Sequence, residues 1–152
     1  MRKLLPATLV VLGIVVARPA PARADFGLGL FLGEPTGLDL KIGIGNRSAL
    51  DIVLGYTTFD SGRSGYGHLT YLVTPLVGQG QSVLVPPRLG IGAALFGSGD
   101  NLDVAVRAPL EVALRLRRTP LEFYGEIALA LVLFDDDVRL DVQGGLGFRL
   151  YF

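Results

Sequence analysis

Residues 138–152 read VRLDVQGGLGFRLYF, and every second position of this stretch, starting with its first, is apolar or glycine. The positions between them include Arg139, Asp141 and Arg149. Alternate side chains of an extended chain point to opposite faces, so this period of two predicts one long β-strand. One face of that strand is apolar, and the other mixes charged residues with glycine.

The same alternation recurs in seven earlier segments, and turn-forming residues such as glycine, proline, asparagine and aspartate lie between them. The segments are residues 26–32, 37–44, 49–58, 66–74, 87–96, 103–116 and 121–133. Eight strands joined by short connections predict an all-β fold, an antiparallel up-and-down barrel. Eight is also the smallest strand number among bacterial membrane barrels.

The segment 103–116 has a helical alternative. Asp103, Arg107, Glu111 and Arg115 recur every four residues, which would also form a polar stripe along a helix. Pro109 in the middle would break that helix, but proline is also unusual inside a strand. We predict a strand here and keep the helix as an open alternative.

The composition indicates a membrane protein. Hydrophobic residues make up 50% of the 152 residues and charged residues only 18%, against about 25% in a soluble domain. Beyond residue 24 the longest apolar run, residues 127–134, is far shorter than the roughly 20 residues of a membrane helix. A closed barrel is the other structure that can cross a bilayer. We therefore expect the eight strands to form a transmembrane β-barrel.

The start of the chain resembles an export signal. Arg2 and Lys3 precede an apolar stretch at residues 4–16, and Ala22 and Ala24 fit a small-x-small cleavage site. We predict that residues 1–24 are a cleaved signal peptide and that residues 25–152 form one barrel domain. Four of the basic residues and none of the acidic ones lie in the signal, so the remaining chain is acidic, and nucleic acid is not an expected partner.

Periodicity alone does not say which face points into the barrel, because a soluble lipocalin-like barrel would turn its apolar face inward. Here the polar face mixes nearly balanced charges with small residues, as a narrow lumen requires, and buried charges must be paired. We therefore expect the polar face to line the lumen. The expected lumen network consists of Asp39, Lys41, Asp51, His68, Arg88, Arg107, Glu111, Arg115, Glu122, Glu126, Arg139, Asp141 and Arg149.

Two short motifs resemble known outer-membrane barrels. Gly147, Leu150 and Phe152 match the Gly-x-x-hydrophobic-x-aromatic ending of such proteins, although Gly145 replaces the polar residue usual two positions before that glycine. The opening Gly29-x-x-x-Gly33-Glu34-Pro35-Thr36-Gly37-Leu38 resembles an uncharacterised barrel family described in spirochaetes and other bacteria.

The resemblance implies a monomer in the outer membrane of a Gram-negative bacterium. It also implies contacts with outer-membrane lipid and lipopolysaccharide, and recognition of the C-terminal strand by the barrel-assembly machinery. It transfers no catalytic residue, because that family has no established activity.

Candidate reactive groups are few. His68 is the only histidine, and a hydrolase would need it beside a serine nucleophile. Ser64 precedes it by four residues, which is about 13 Å along an extended strand. The carboxylates of Asp135-Asp136-Asp137, with those of Asp100 and Asp103, could bind a divalent cation, but their spacing is not that of a calcium-binding loop. The chain has no cysteine, which excludes disulfides and thiolate metal sites. We expect no enzymatic activity, cofactor or metal site.

An eight-stranded barrel leaves an interior just wide enough for side chains. With so many charged groups pointing inward, we expect a filled lumen and a structural or membrane-integrity role. A narrow, porin-like pore for ions or small solutes is the second hypothesis. A soluble periplasmic barrel that binds an apolar ligand, and a lipid-modifying enzyme, are the remaining alternatives.

Overall fold

The computed structural model describes residues 26–58, 64–133 and 137–152, which contain ten strands and no helix. The strands are β1 Phe26–Glu34, β2 Thr36–Gly43, β3 Ser48–Thr57, β4 Ser64–Val73, β5 Gly78–Gln79, β6 Val83–Val85, β7 Pro87–Ser98, β8 Asn101–Leu116, β9 Leu121–Leu133 and β10 Val138–Tyr151. The predicted signal peptide, with Ala22 and Ala24, lies outside the described residues, as do Asp135 and Asp136.

The eight long strands close into an antiparallel barrel. Neighbours run in the order β1, β2, β3, β4, β7, β8, β9 and β10, and β10 pairs back onto β1 from Gly27↔Tyr151 to Glu34↔Gly144. This confirms the predicted eight-stranded barrel, and the bounds of these strands differ from the predicted ones by at most two residues. Phe26 and Phe152 meet at one end of the barrel, called here the terminus end, and the opposite end is called the far end.

A small hairpin in the connection from β4 to β7 was not predicted. Strand β6 pairs with the last residues of β8, through Val83↔Leu116 and Leu84↔Arg115, and β5 pairs with β6. The side chain of Arg117 fastens the hairpin by donating hydrogen bonds to Gly80 O at 3.0 Å and to Gln79 at 2.5 Å. Strands of two and three residues are too short to display a periodicity, so the sequence indicated only a turn here.

The helical alternative for residues 103–116 is wrong, because β8 is a continuous strand through Pro109. On the β9 side the pairing includes Pro109↔Ala128. On the β7 side it stops after Leu89↔Leu110 and resumes in the same register at Gly92↔Arg107. Proline lacks the N–H that a ladder needs, which explains an interruption on one side only.

The two faces of the barrel wall differ sharply in composition. On β9, Leu129 points outward and is 52% exposed, whereas its neighbours Ala128 and Ala130 point inward and are fully buried. The same alternation on the other strands places large apolar side chains outside, and Leu146 is 71% exposed. The inward positions carry the buried charged residues, together with alanine, glycine and a few aromatic side chains.

Candidate functional site

The barrel interior contains a set of charged side chains that are each at most 5% exposed. Within the described residues these are the carboxylates Asp39, Asp51, Glu111, Glu122 and Glu126 and the cations Lys41, Arg88, Arg107 and Arg149. Taking a charge out of water costs several kcal/mol unless it is paired and hydrogen-bonded. The arrangement of these partners therefore determines what the lumen can do.

Most of these charges gather around Arg149, three residues before the end of the chain. Its guanidinium donates hydrogen bonds to carboxylates from β2, β3, β8 and β9, and so links five strands across the lumen. The accepting groups are Asp39 at 2.6 Å, Asp51 at 2.7 Å, Glu111 at 2.9 Å and Glu122 at 3.2 Å. Planar guanidinium is well suited to such multiple carboxylate contacts.

Two further cations complete this group. Arg88 on β7 binds both oxygens of Glu122, at 2.7 and 2.9 Å, and also donates to Glu111. Lys41 Nζ lies 3.5 Å from Glu111 Oε1. The Arg149 cluster is defined here as the three cations and four carboxylates joined in this way: Lys41, Arg88, Arg149, Asp39, Asp51, Glu111 and Glu122.

Aromatic side chains on the inner face hold this cluster in place. The guanidinium carbon of Arg149 lies 3.7 Å from the ring centroid of Tyr124, a cation–π contact. The Tyr124 hydroxyl donates a hydrogen bond to Asp39, and its ring stacks on Phe31. A Cβ atom at Gly147 would collide with the Tyr124 ring, so the glycine of the C-terminal motif is also required for lumen packing.

A second cluster surrounds Arg107, further from the terminus end, and it is different in kind. Arg107 donates to one carboxylate, Glu126, at 2.5 Å. Its other acceptors are uncharged: Thr70 at 3.0 Å, His68 at 3.1 Å and Gln143 at 3.2 Å. This Arg107 cluster therefore consists of a single ion pair supported by neutral hydrogen-bond partners.

The contacts of His68 fix its role in this second cluster. Arginine can only donate, so Nε2 of His68 accepts from Arg107, and the ring proton lies on Nδ1. Nδ1 is 3.2 Å from the Tyr66 hydroxyl, which in turn donates to Gln143 at 3.1 Å. Asp51 Oδ2 lies 3.4 Å from Nε2, a longer contact that a neutral ring with this tautomer does not use as a hydrogen bond. His68 is thus a neutral link in the lumen network.

Beyond the Arg107 cluster, toward the far end, the lumen becomes apolar. Tyr66 and Phe96 stack with ring centroids 6.2 Å apart. They pack in one buried group with small and branched side chains from β7, β8 and β9, namely Ala94, Ala105, Ala130 and Val132. An apolar layer therefore lies next to the Arg107 cluster on the side of the far end.

Three predicted lumen residues lie at the margins. Arg115 is only partly buried near the terminus end, where its guanidinium carbon is 4.0 Å from the ring centroid of Tyr151. Arg139 and Asp141 form an ion pair with each other at 2.8 Å, with side chains 43% and 19% exposed. They lie in the first residues of β10, near the far end, where the wall extends past the buried layers. They share the alternation of the inward side chains of β10 but are more exposed than the charges of the two clusters.

The sequence prediction omitted several polar residues that complete the network. Tyr151 donates to Glu122 at 2.9 Å, and Tyr66, Thr70, Gln143 and Tyr124 take the parts described above. All of them occupy inward positions of the alternating pattern, which is the signal that identifies them. Charge alone does not identify them, because neutral side chains also donate and accept hydrogen bonds in the lumen.

Among the described residues, no serine and acidic group are arranged around His68 as a hydrolase would require. Its ring nitrogens contact Tyr66, Arg107 and Asp51, whereas Ser64 lies four residues away along the extended strand β4. In the part of the chain that the structure describes, no group of three or more His, Asp or Glu side chains is arranged to hold a metal ion. The described residues also include no helix long and apolar enough to span a membrane.

Comparison with known proteins gives no relative for this chain: no family model, curated protein or solved structure matches it. The resemblance to the barrel family of the spirochaete type therefore remains a prediction from the two short motifs quoted above.

Proposed function

We propose that this protein is a small outer-membrane β-barrel with a structural or membrane-integrity role and a lumen sealed by its own side chains. The observation that carries the proposal is the inverted distribution of polarity, with ionised groups buried inside the closed wall and large apolar groups exposed outside. A soluble protein places these two classes of side chain the other way round.

The outer surface favours contact with lipid. Large apolar side chains are exposed on all eight barrel strands, among them Leu30, Leu38, Leu54, Leu69, Ile91, Leu110, Ile127 and Leu146. In water a continuous apolar surface of this kind would drive aggregation. Contact with acyl chains removes this apolar surface from water. The closed ladder of strands also meets the second requirement of a membrane, which is that backbone N–H and C=O groups pair with each other.

The inner surface argues against a soluble barrel that carries an apolar ligand. Such a barrel needs an apolar cavity, but the centre of this lumen holds the Arg149 and Arg107 clusters. An apolar ligand there would have to separate buried ion pairs, and each broken pair costs about 3–5 kcal/mol. That alternative has no support in the geometry.

The cross-lumen bonds also favour a structural role over a pore. Arg149 connects β10 to four other strands, and the charged groups involved are at most 5% exposed. Ion passage would require these groups to part and admit water. We also propose that the protein has no enzymatic activity, because His68 is a neutral link in the hydrogen-bond network and is not presented to a substrate.

The proposed setting follows from the closed wall and the C-terminal strand. Because β10 pairs with β1, one chain completes the barrel, which supports a monomer. We propose outer-membrane lipid and lipopolysaccharide as its surroundings. The last strand, with Gly147, Leu150 and Phe152, is the segment proposed to be read by the barrel-assembly machinery.

The location is tested by membrane fractionation combined with heat-modifiable gel mobility. The parent chain should be found in the outer-membrane fraction and should migrate differently when unheated. Leu129→Arg puts a charge on the outward face and should lose about 2–4 kcal/mol of membrane stability, with loss of the unheated folded band. Ala128→Ser, one position away on the inner face, is the matched control and should assemble. The proposal is contradicted if the parent chain is recovered in solution without detergent. It is also contradicted if Leu129→Arg assembles and Ala128→Ser does not.

The sealed lumen is tested separately by recordings in planar lipid bilayers. The purified barrel should give no conductance above baseline. Glu126→Gln removes the one carboxylate of the Arg107 cluster. If the parent conducts ions and this variant changes the ion selectivity, the narrow pore replaces the structural role.

A further inference from the structure

The terminus end of the lumen opens into a pocket of about 130 Å³ that the sealed-barrel role does not use. Its basic side chains come from β2, the turn after β2, β7 and β8: Lys41, Arg47, Arg88 and Arg115. Neutral donors, including Ser48 and Thr74, complete the lining, and the lining residues include no aspartate or glutamate. This pocket is called the basic cup below.

Two of these four cations form no ion pair within the described residues. Arg47 donates a hydrogen bond to Pro75 O at 3.0 Å, and Arg115 stacks on the Tyr151 ring, but neither lies within ion-pair distance of a carboxylate. Lys41 and Arg88, on the inner side of the cup, are already paired with Glu111 and Glu122. The cup therefore presents two guanidinium groups that form no ion pair in one concave place.

The two ends of the barrel differ in charge. The described residues near the far end include Glu34, Asp100, Asp103, Asp137 and Asp141, with Arg139 as a basic residue among them. Arg117 and Arg118, in the connection from β8 to β9, add positive charge at the terminus end. Field lines concentrate in a cleft lined by one sign of charge, so an anion is drawn to the terminus end and repelled from the far end.

We propose that the basic cup binds a phosphate group. Two unpaired guanidinium groups in one pocket offer the paired N–H donors that match phosphate oxygens, and Ser48 and Thr74 add hydroxyl donors. A free phosphate ion and the headgroup of an anionic phospholipid share this chemistry. The site is independent of the proposed structural role, since a barrel of either location would carry it.

Binding is tested by calorimetry on the folded barrel in an uncharged maltoside detergent, with inorganic phosphate titrated at constant ionic strength. A second titration uses mixed micelles of phosphatidylglycerol, with phosphatidylcholine as the neutral lipid. Arg115→Gln and Arg47→Gln each remove one unpaired guanidinium and should weaken binding about tenfold or more, the effect of losing a charge-assisted hydrogen bond. Arg118→Gln, an exposed arginine at the same end that does not line the cup, is the matched control.

Saturable binding of inorganic phosphate that is lost in the two cup variants and retained in Arg118→Gln supports a site for the free ion. If the same pattern is seen with phosphatidylglycerol but not with inorganic phosphate, the ligand is the lipid headgroup, and the site is also supported. Absence of saturable binding in both titrations, or equal losses in Arg118→Gln, overturns it. Heat-modifiable mobility establishes that each variant is folded, and Arg47→Gln, in an exposed turn, provides the readout if Arg115→Gln does not fold.

Discussion

The two buried clusters of the lumen solve the same electrostatic problem differently. In the Arg149 cluster three cations face four carboxylates, and single groups serve several partners at once. In the Arg107 cluster one cation faces one carboxylate, and Thr70, His68 and Gln143 supply the remaining hydrogen bonds. The first arrangement depends on every cation it contains, whereas the second is a pair that can be removed as a unit.

Removing the shared cation should give the largest effect. Arg149→Met leaves the carboxylates of Asp39 and Asp51 without their arginine contact and deprives Glu111 and Glu122 of one partner each. We expect a loss of about 3–5 kcal/mol or more in the free energy of unfolding, measured by urea titration with heat-modifiable gel mobility as the readout. Arg118→Met, on the exposed terminus end, is the control and should be neutral. A loss no larger than that of Arg107→Met would make the two clusters equivalent.

Paired removal should separate the clusters next. Arg107→Met should cost about 3 kcal/mol, because it strands the buried carboxylate of Glu126. Adding Glu126→Gln removes that charge and should restore a large part of the loss. The corresponding double change, Arg149→Met with Glu122→Gln, should restore little of the lost free energy of unfolding, because the other three carboxylates still lack the Arg149 guanidinium. A double-mutant cycle on each pair measures the difference, and equal recovery in both would refute the distinction.

The negative surplus of the Arg149 cluster gives a smaller effect. Asp39 Oδ1 is buried without a hydrogen-bond partner in the described part of the chain, and the cluster has one carboxylate more than it has cations. Asp39→Asn removes the surplus charge and keeps an acceptor for Arg149 and Tyr124. We expect a change within about 1 kcal/mol, well below the cost of Asp51→Asn, by the same urea titration. A larger loss for Asp39→Asn would show that the surplus charge is required.

The partly exposed ion pair on β10 should give the smallest effect. Arg139→Gln removes the partner of Asp141 where water can replace it, so the free energy of unfolding should change by about 0.5 kcal/mol or less. A loss comparable to that of Arg107→Met would return Arg139 to the set of buried lumen charges from which the structure excludes it.

Local pattern was sufficient to predict the wall of the barrel. The alternation around Leu129, Ala128 and Ala130 identifies a strand and says which side chains share a face, and repeated eight times it gives the barrel. The pattern was insufficient at the hairpin of β5 and β6, where two and three residues carry no period. It was ambiguous at Pro109, where a polar spacing of four suited a helix until pairing with Ala128 decided for a strand.

By itself, the sequence determined which residues lie together on the inner face, because side-chain direction in a strand repeats every two residues. Only the tertiary structure decided which of them meet. Arg149 binds Asp39 from 110 positions away, and that contact exists because β10 closes onto β1 and the staggered strands bring both groups to one level of the lumen. Tertiary structure likewise brought Arg47 and Arg115 into one pocket, where neither forms an ion pair with a described residue, and left Arg139 and Asp141 partly exposed. Distances across a barrel depend on the curvature and stagger of all eight strands together, and no local stretch of sequence contains that information.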